Sequence, residues 1–183
     1  MNGHKSINIW FTGYSGSGKS TLAHALEKRL YDMKCHTFVF DGDNVRHGLC
    51  KDLGFSTEDR RENIRRITEM VKLFLEAGLI ALTAFIAPFQ EDRDIIKSRL
   101  GPDNYIEVYC DCPLHICEER DIKGIYKKAR QGLIKDFTGI SSPYEPPQSP
   151  DIVLQTNSQT IDACIDQLMH LLKSRSVFES RIV

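Results

Sequence analysis

The side chains best suited to chemistry lie in a short stretch near the start of the chain, GYSGSGKST at residues 13–21. Its glycines let the backbone approach an anion closely, so that several N–H groups can point at one place. Lys19 adds a positive charge, and the Ser20 hydroxyl is a ligand suited to Mg²⁺. The spacing of Gly13, Gly18, Lys19 and Ser20 is that of a nucleotide-phosphate loop. A flexible Gly/Ser turn is the plainer alternative.

The residues on either side supply the setting that such a loop requires. An apolar run at 7–11 precedes it, as a buried parallel strand would. Apolar residues at helical spacing follow it from Leu22 to Met33. A helix in this place aims its first N–H groups at the same anion. The sequence therefore predicts a phosphate-binding loop between a strand and a helix.

Two carboxylates follow the next predicted strand, Thr37–Phe40. Asp41 and Asp43 come at its carboxyl end, where open α/β sheets bind their ligands. An Asp-Gly turn, or a helix cap at Asp43, is the structural alternative.

Arginines are concentrated at the start of a helix predicted over Arg60–Glu76. Arg60, Arg61, Arg65 and Arg66 lie in its first turns, where the helix dipole disfavours positive charge. This pattern predicts that some of them contact an anionic ligand. A solvated basic face is the alternative.

The segment at 120–139 departs from the regular alternation of strands and helices. It has little apolar periodicity, carries several basic residues and contains three glycines. Such a segment suits a mobile lid that brings positive charge to a phosphoryl-transfer site and excludes water. We predict a basic lid at about residues 120–142, with a solvated surface helix as the alternative.

The rest of the chain predicts an α/β fold. Further strands are expected at 79–86, 105–110 and 152–154, and a last helix with buried Ile161 is expected after a cap at Ser158. Strands alternating with helices indicate a five-stranded parallel sheet with helices on both faces. The 183 residues are expected to form a single domain spanning 1–183.

Composition limits the partners. The net charge of −1 argues against a general nucleic-acid or membrane-surface binder. The six cysteines show no C-x-x-C pair and are expected to be reduced. Without an apolar targeting segment, the protein is expected to be soluble and cytoplasmic.

The missing motifs narrow the reaction class. The chain has no N-K-x-D guanine reader, and the acids at 41–43 do not supply the D-x-x-G that follows a strand in switch GTPases. The third strand lacks the acid that a motor ATPase carries there. Small size, a basic lid and two acids favour a kinase with a small acceptor. A nucleotide-binding module without turnover is the alternative from another class.

Ordered motifs carry a more specific resemblance. Beside the phosphate loop, they are DGDNVRHGL at 41–49, LGFS at 53–56, RRENIRR at 60–66, KGIYKKAR at 123–130 and FTGI at 137–140. With them the chain resembles the adenylylsulfate kinases over nearly its whole length. The resemblance implies a P-loop kinase fold and transfer of the γ-phosphoryl of ATP to the ribose 3′-hydroxyl of adenylyl sulfate. A related kinase for a nucleoside or sugar acid is the alternative.

The resemblance also implies roles for individual residues. Asp43 would accept the hydroxyl proton and Asp41 would order Mg²⁺ through water, or the two acids could share these roles. Lys19 would assist catalysis, and Ser20 would help to hold Mg²⁺. The implied ATP-binding residues are Gly13, Ser15, Gly16, Ser17, Gly18, Lys19, Ser20, Thr21, Arg120 and Asn157. The implied adenylyl sulfate-binding residues are Asp41, Gly42, Asp43, Asn44, Arg46, Phe55, Arg60, Asn63, Ile86, Ala87, Lys123, Lys135 and Phe137. Phe55 and Phe137 would stack on the two faces of the substrate adenine.

The chain departs from the family at one position. It has Ala87 where the family commonly has serine, so a phosphoenzyme at this position is excluded. A backbone contact from Ile86 or Ala87 to the substrate could persist. The resemblance also implies a homodimer.

Overall fold

The computed structural model describes residues 3–121 and 123–178, and for Asp43 the backbone alone. The strands are β1 (Ile7–Thr12), β2 (Thr37–Asp41), β3 (Ile80–Ala84), β4 (Tyr105–Asp111) and β5 (Ile152–Gln155). The helices are α1 (Lys19–Asp32), α2 (Gly42–His47), α3 (Thr57–Glu76), α4 (Gln90–Leu100), α5 (Leu114–Arg120), α6 (Ile125–Arg130) and α7 (Ile161–Ser174).

The five strands form one parallel sheet in the order β2-β3-β1-β4-β5. Every residue of β1 is buried, as expected for a central strand covered on both faces. The predicted five-stranded parallel α/β fold is confirmed. Because all strands run the same way, their carboxyl ends and the loops that follow them meet at one edge of the sheet.

Each face of the sheet has its own apolar core. On one face, α1 and α7 pack through residues such as Leu26, Leu30 and Leu168. On the other face, α3 and α4 pack through Ile67 and Ile96. The two cores make the sheet a rigid platform for the loops at its carboxyl edge.

Two predicted helix starts were wrong. Helix α3 begins at Thr57 rather than Arg60, because the Ser56 hydroxyl caps it by accepting from the Asp59 N–H at 3.1 Å. Helix α7 begins at Ile161, capped by Thr160, whose hydroxyl accepts from the Ala163 N–H at 3.2 Å.

Ser158 is therefore not the cap of α7. Its hydroxyl donates to the Gln155 carbonyl at 3.4 Å and closes a turn after β5. The helix starts later than expected, and Ile161, expected in the core, is 48% exposed.

The segment expected to be a lid contains one short helix with an apolar side. Tyr126 and Ala129 of α6 are buried, so the segment packs on the rest of the protein more closely than its sequence suggested. None of the helices in the described ranges is long and apolar enough to cross a membrane.

Candidate active site

The phosphate loop follows β1 and packs tightly on the strand and helix beneath it. Gly13 has a φ of 142°, and a Cβ there would lie 2.6 Å from the Cys110 carbonyl oxygen. A Cβ at Gly16 would lie 3.0 Å from the Cys117 carbonyl oxygen. The loop therefore requires glycine at these positions for packing as well as for anion binding.

Lys19 is buried at the start of α1, with its ammonium inside the loop. Its Nζ donates to the carbonyl oxygens of Gly13 at 3.0 Å and Tyr14 at 2.6 Å. Burial lowers the pKa of Lys19 to about 8, although the Asp41 carboxylate acts in the opposite direction. The loop thus holds a cation on neutral acceptors, which an anion can replace.

A cleft of about 1030 Å³ opens at the carboxyl edge of the sheet. This volume is at the upper end of the range for small-molecule sites. Most residues that the resemblance implied lie in its walls: Ser15, Gly16, Gly18, Lys19, Ser20, Thr21, Asp41, Gly42, Asn44, Arg46, Phe55, Arg60, Asn63, Ile86, Ala87, Arg120, Lys123, Lys135 and Phe137. The cleft thus joins the phosphate loop to the acidic end of β2, the start of α3 and the lid.

The wall opposite the phosphate loop carries two guanidinium groups and an aromatic ring. The Arg46 guanidinium lies 4.4 Å from the centre of the Phe55 ring, and its Nη1 donates to the Gly54 carbonyl at 3.0 Å. Arg60 Nε donates to the Phe55 carbonyl at 2.9 Å. Burial, and then the charge of Arg46, lower the pKa of Arg60. Two like charges held together in this way form a site for an anion.

Arg60 also reaches the lid. Its guanidinium donates to the Thr138 hydroxyl at 2.5 Å and to the Asp136 carbonyl. The start of α3 and the end of the lid are thus joined across the cleft.

Asn63 lies one turn after Arg60 on α3 and lines the same wall. The residue is buried, yet its Oδ1 has no hydrogen-bond partner among the described residues. A buried amide oxygen without a partner costs free energy unless a ligand or water satisfies it. The arrangement therefore favours a polar ligand at this position.

The other arginines at the start of α3 are bound to carboxylates. Arg61 pairs with Glu91 at 2.8 Å, Arg65 with Glu62 at 2.7 Å and Arg66 with Asp52 at 2.6 Å. Within this group, Arg60 lines the cleft and the rest form surface ion pairs. Arg60 is therefore the candidate among the four for contact with a ligand, and that contact stays a prediction.

Hydrogen bonds that the sequence did not predict join the phosphate loop to the lid and to the turn after β5. The Tyr126 hydroxyl donates to the Ser15 carbonyl at 2.8 Å. The Thr156 hydroxyl donates to the Ser17 carbonyl at 2.8 Å, and Arg120 Nη2 donates to the Thr156 carbonyl at 2.9 Å. Tyr126 stands inside the recognised lid motif, but the sequence does not show which loop carbonyl its hydroxyl reaches.

Some predicted site residues lie outside the cleft walls. Gly13 and the buried Ser17 belong to the phosphate loop itself. Asn157 is exposed next to Thr156, which does line the cleft. Asp43 lies in α2, one residue after Gly42 in the cleft wall, and its side chain is outside the described part of the structure. The individual roles of these residues stay predictions.

Known proteins resemble this chain in sequence over most of its length. The family model for adenylylsulphate kinase matches residues 5–155. An adenylyl-sulfate kinase of Acaryochloris marina is 57% identical over 179 residues, which is 98% of this chain and 87% of the relative. One from Oceanobacillus iheyensis is 58% identical over 175 residues, covering 96% of this chain and 88% of the relative.

A solved structure agrees in three dimensions. The Mycobacterium tuberculosis APS kinase CysC, in complex with AMPPNP and APS, superimposes with a TM-score of 0.89 at 43% identity. The match covers 93% of this chain and 99% of that one. With the phosphate loop, the two guanidinium groups and the lid in one cleft, these similarities establish that the chain belongs to the adenylylsulphate kinase family.

Proposed function

We propose that the protein transfers the γ-phosphoryl group of ATP to the ribose 3′-hydroxyl of adenylyl sulfate, giving ADP and 3′-phosphoadenylyl sulfate. The main support for this proposal is that the cleft has two walls suited to different anionic ligands. One wall is the phosphate loop around Lys19, and the other presents Arg46, Arg60 and the unpartnered Asn63 Oδ1. A donor triphosphate and an anionic acceptor can face each other across it.

The donor side is built to bind a triphosphate. Backbone N–H groups of the phosphate loop and the start of α1 surround the phosphate oxygens. Lys19 exchanges its two carbonyl acceptors for phosphate oxygens, which favours its charged form. Arg120, which already contacts the Gly16 and Thr156 carbonyls, borders the space for the base.

The acceptor side combines flat apolar surface with positive charge. The exposed Phe55 and the half-buried Phe137 both line the cleft, and their flat faces suit stacking of the adenine between them. Arg46, Arg60 and Asn63 bind the phosphate–sulfate end. The lysines of the lid, Lys123 and Lys135, add charge close to the transferred group.

The two acids divide the proton and metal chemistry. Asp43 accepts the proton of the 3′-hydroxyl as that oxygen attacks the γ-phosphorus, and the bond to the β,γ-bridging oxygen of ATP breaks. Asp41, at the end of β2, faces the phosphate side of the cleft and acts electrostatically on Lys19.

The residues present fit a Mg²⁺ ion that arrives with ATP. The Ser20 hydroxyl and the Asp41 carboxylate line the same cleft and are oxygen ligands. Within the described ranges, no three His, Cys, Asp or Glu side chains form a metal cluster. Such a sparse donor set suits Mg²⁺, which keeps several waters and binds substrate phosphates. When bound, the ion would neutralise charge on the β- and γ-phosphates.

A panel of acceptors tests the substrate assignment. Purified protein with ATP and Mg²⁺ is offered adenylyl sulfate, a nucleoside, gluconate and shikimate in parallel, and the products are identified by mass spectrometry and phosphorus NMR. We expect a phosphate on the 3′-oxygen of adenylyl sulfate alone. Faster phosphorylation of a sugar acid would assign a different kinase.

We further propose a cytoplasmic homodimer. The six cysteines are buried thiols, which fits a reducing compartment, and the dimer is what the family resemblance implies. Sedimentation equilibrium is expected to give twice the 20.9 kDa of the chain. A monomeric mass at micromolar concentration would contradict the dimer.

A further inference from the structure

The turn that follows β3 enters the cleft wall and is fixed from outside at consecutive carbonyl groups. The Thr12 hydroxyl donates to the Ile86 carbonyl at 2.5 Å, and Arg93 Nη1 donates to the Ala87 carbonyl at 2.6 Å. The Glu145 N–H donates to the Pro88 carbonyl at 2.8 Å. Three elements of the fold, far apart in sequence, thus hold three adjacent peptide groups.

These hydrogen bonds from outside the turn stabilise a strained backbone. Ala87 has a φ of 41°, in the left-handed region that side chains disfavour, and is 1% exposed. A left-handed alanine is disfavoured by steric contact of its side chain with the backbone, and the surroundings must offset that cost. The bond from Arg93 is made to the strained residue itself.

Arg93 is a buried cation whose two terminal nitrogens donate to structural groups. It is 1% exposed on α4, and its Nη2 donates to the Glu145 carbonyl at 2.7 Å and to Gln90 Oε1 at 2.8 Å. Its Nε lies 3.1 Å from the buried Glu107 carboxylate, which balances the charge. The planar guanidinium with its five donors can make these contacts together, which an ammonium cannot.

The contacts of Arg93 join two parts of the candidate site. The Ile86–Pro88 turn belongs to the cleft wall, whereas Glu145 follows directly after the lid. Tyr144, beside Glu145, places its hydroxyl 3.0 Å from Thr12 Oγ1, immediately before the phosphate loop. Movement of Arg93 would therefore shift the turn relative to the point where the lid ends.

We propose that Arg93 is a positioning residue, which sets the Ile86–Pro88 turn for the acceptor and fixes the end of the lid against it. Arg93 acts through these backbone groups and does not itself contact substrate. The identity of the acceptor in this inference rests on the function proposed above.

Arg93→Lys tests the proposal, because it keeps the charge and removes the fork of donors. The matched control is Arg99→Lys on the same helix, where Arg99 is exposed and pairs with Glu69. Hydrogen exchange is expected to accelerate at 86–90 and 144–148 in Arg93→Lys and not in the control. We also expect the KM for adenylyl sulfate to rise about tenfold, with the Kd for ATP changed less than twofold.

A second variant covers the case in which Arg93→Lys does not fold. Gln90→Ala removes one acceptor of the Arg93 guanidinium and leaves the buried charge pair in place. It is expected to raise the KM for adenylyl sulfate about threefold with the same exchange pattern. Because Gln90 Oε1 also accepts from the Gln148 N–H at 3.3 Å, exchange in this variant is read at 86–89 and 144–147.

Several results would overturn the proposal. One is unchanged exchange at both segments in whichever of the two variants folds. Another is a parallel loss of ATP and acceptor affinity, which would indicate a purely structural role. If the unmodified protein does not use adenylyl sulfate, the proposed function fails, and the exchange measurement still decides the role of Arg93.

Discussion

At the scale of single residues, the cleft has cationic side chains suited to binding anions and acidic side chains suited to proton and metal chemistry. Arg46, Arg60 and Lys19 are cations held by carbonyl oxygens or an aromatic face. The acids at 41 and 43 come from the end of β2 and the start of α2. Substitution of a cation should therefore weaken ligand binding, whereas substitution of an acid should lower kcat.

Asp43→Asn is expected to lower kcat strongly. A positioned general base contributes about 10²–10⁴-fold, and the amide cannot accept the proton. The Kd for ATP should stay within about twofold, since the phosphate loop is unchanged. Stopped-flow turnover and nucleotide titration measure the two quantities, with the exposed Asp32→Asn as control. A kcat equal to that of the unmodified protein would remove Asp43 from the catalytic role.

ATP affinity should fall as pH rises through the pKa of Lys19. Burial lowers that pKa to about 8 in the free protein, so the side chain loses its charge above this pH. Phosphate binding favours the ammonium, so binding above about pH 8 should take up a proton and weaken up to about tenfold per pH unit. Calorimetry in buffers of different ionisation enthalpy measures the uptake.

Lys19→Arg serves as the control for this titration, because its charge persists across the same pH range. Its affinity for ATP, whatever its absolute value, should vary less with pH. An unmodified protein whose affinity and proton uptake stay constant from about pH 7 to pH 9 would contradict the role given to Lys19.

Phe55→Leu should weaken acceptor binding without loss of stability. The Phe55 ring is 55% exposed, so little buried surface is lost. Stacking on a base is worth about 1–3 kcal/mol, which predicts a rise in the KM for adenylyl sulfate of about 5- to 150-fold. Phe38→Leu, at a ring that is 44% exposed outside the cleft, is the matched control. An equal change in both variants would argue against stacking.

At the scale of elements, the lid and the phosphate loop are packed together. Gly139 has a φ of 92°, and a Cβ there would lie 2.9 Å from the Tyr14 ring. Gly132 has a φ of 72° with nothing within 4 Å of its Cβ position. Both glycines have a positive φ that disfavours a side chain. At Gly139 a side chain would in addition clash with Tyr14.

Alanine substitution should separate these two constraints. Gly132→Ala should cost about 1 kcal/mol of stability from backbone strain. Gly139→Ala should cost about 1–3 kcal/mol more and lower turnover, because the new methyl group pushes the lid off Tyr14. Thermal unfolding and ADP release measure both effects. Equal losses in the two variants would show that the lid does not pack on the loop in solution.

The strands and long helices could be predicted because their signals are local. Apolar runs and helical periodicity predicted β1, α1 and α3 within a few residues. The start of α7 was misplaced because both Ser158 and Thr160 are cap residues by type. The turn that engages Ser158 is apparent only in three dimensions.

Site contacts could be predicted for residues that lie close together in a sequence motif. Contacts between residues that are distant in sequence could not. The pairing of Arg65 and Arg66 with Glu62 follows from helical spacing, whereas Arg66 also pairs with Asp52. Arg93 gave no signal because its partners include backbone carbonyls at 87 and 145. Every residue has a backbone carbonyl, so residue type does not show which carbonyl accepts a hydrogen bond.

At the scale of the whole molecule, two apolar cores hold a rigid sheet, and the cleft lies at its carboxyl edge. The donor site is made by the loop after β1. The proposed acceptor site is made by residues after β2 and β3, by α3 and by the lid. A protein organised in this way should hydrolyse little ATP until the acceptor side is occupied.

ADP release with and without adenylyl sulfate tests this central claim most directly. With ATP and Mg²⁺ present, we expect ADP to form in stoichiometric amount with added adenylyl sulfate and to stop when it is consumed. Release of ADP at the same rate without adenylyl sulfate would contradict the assignment of the reaction.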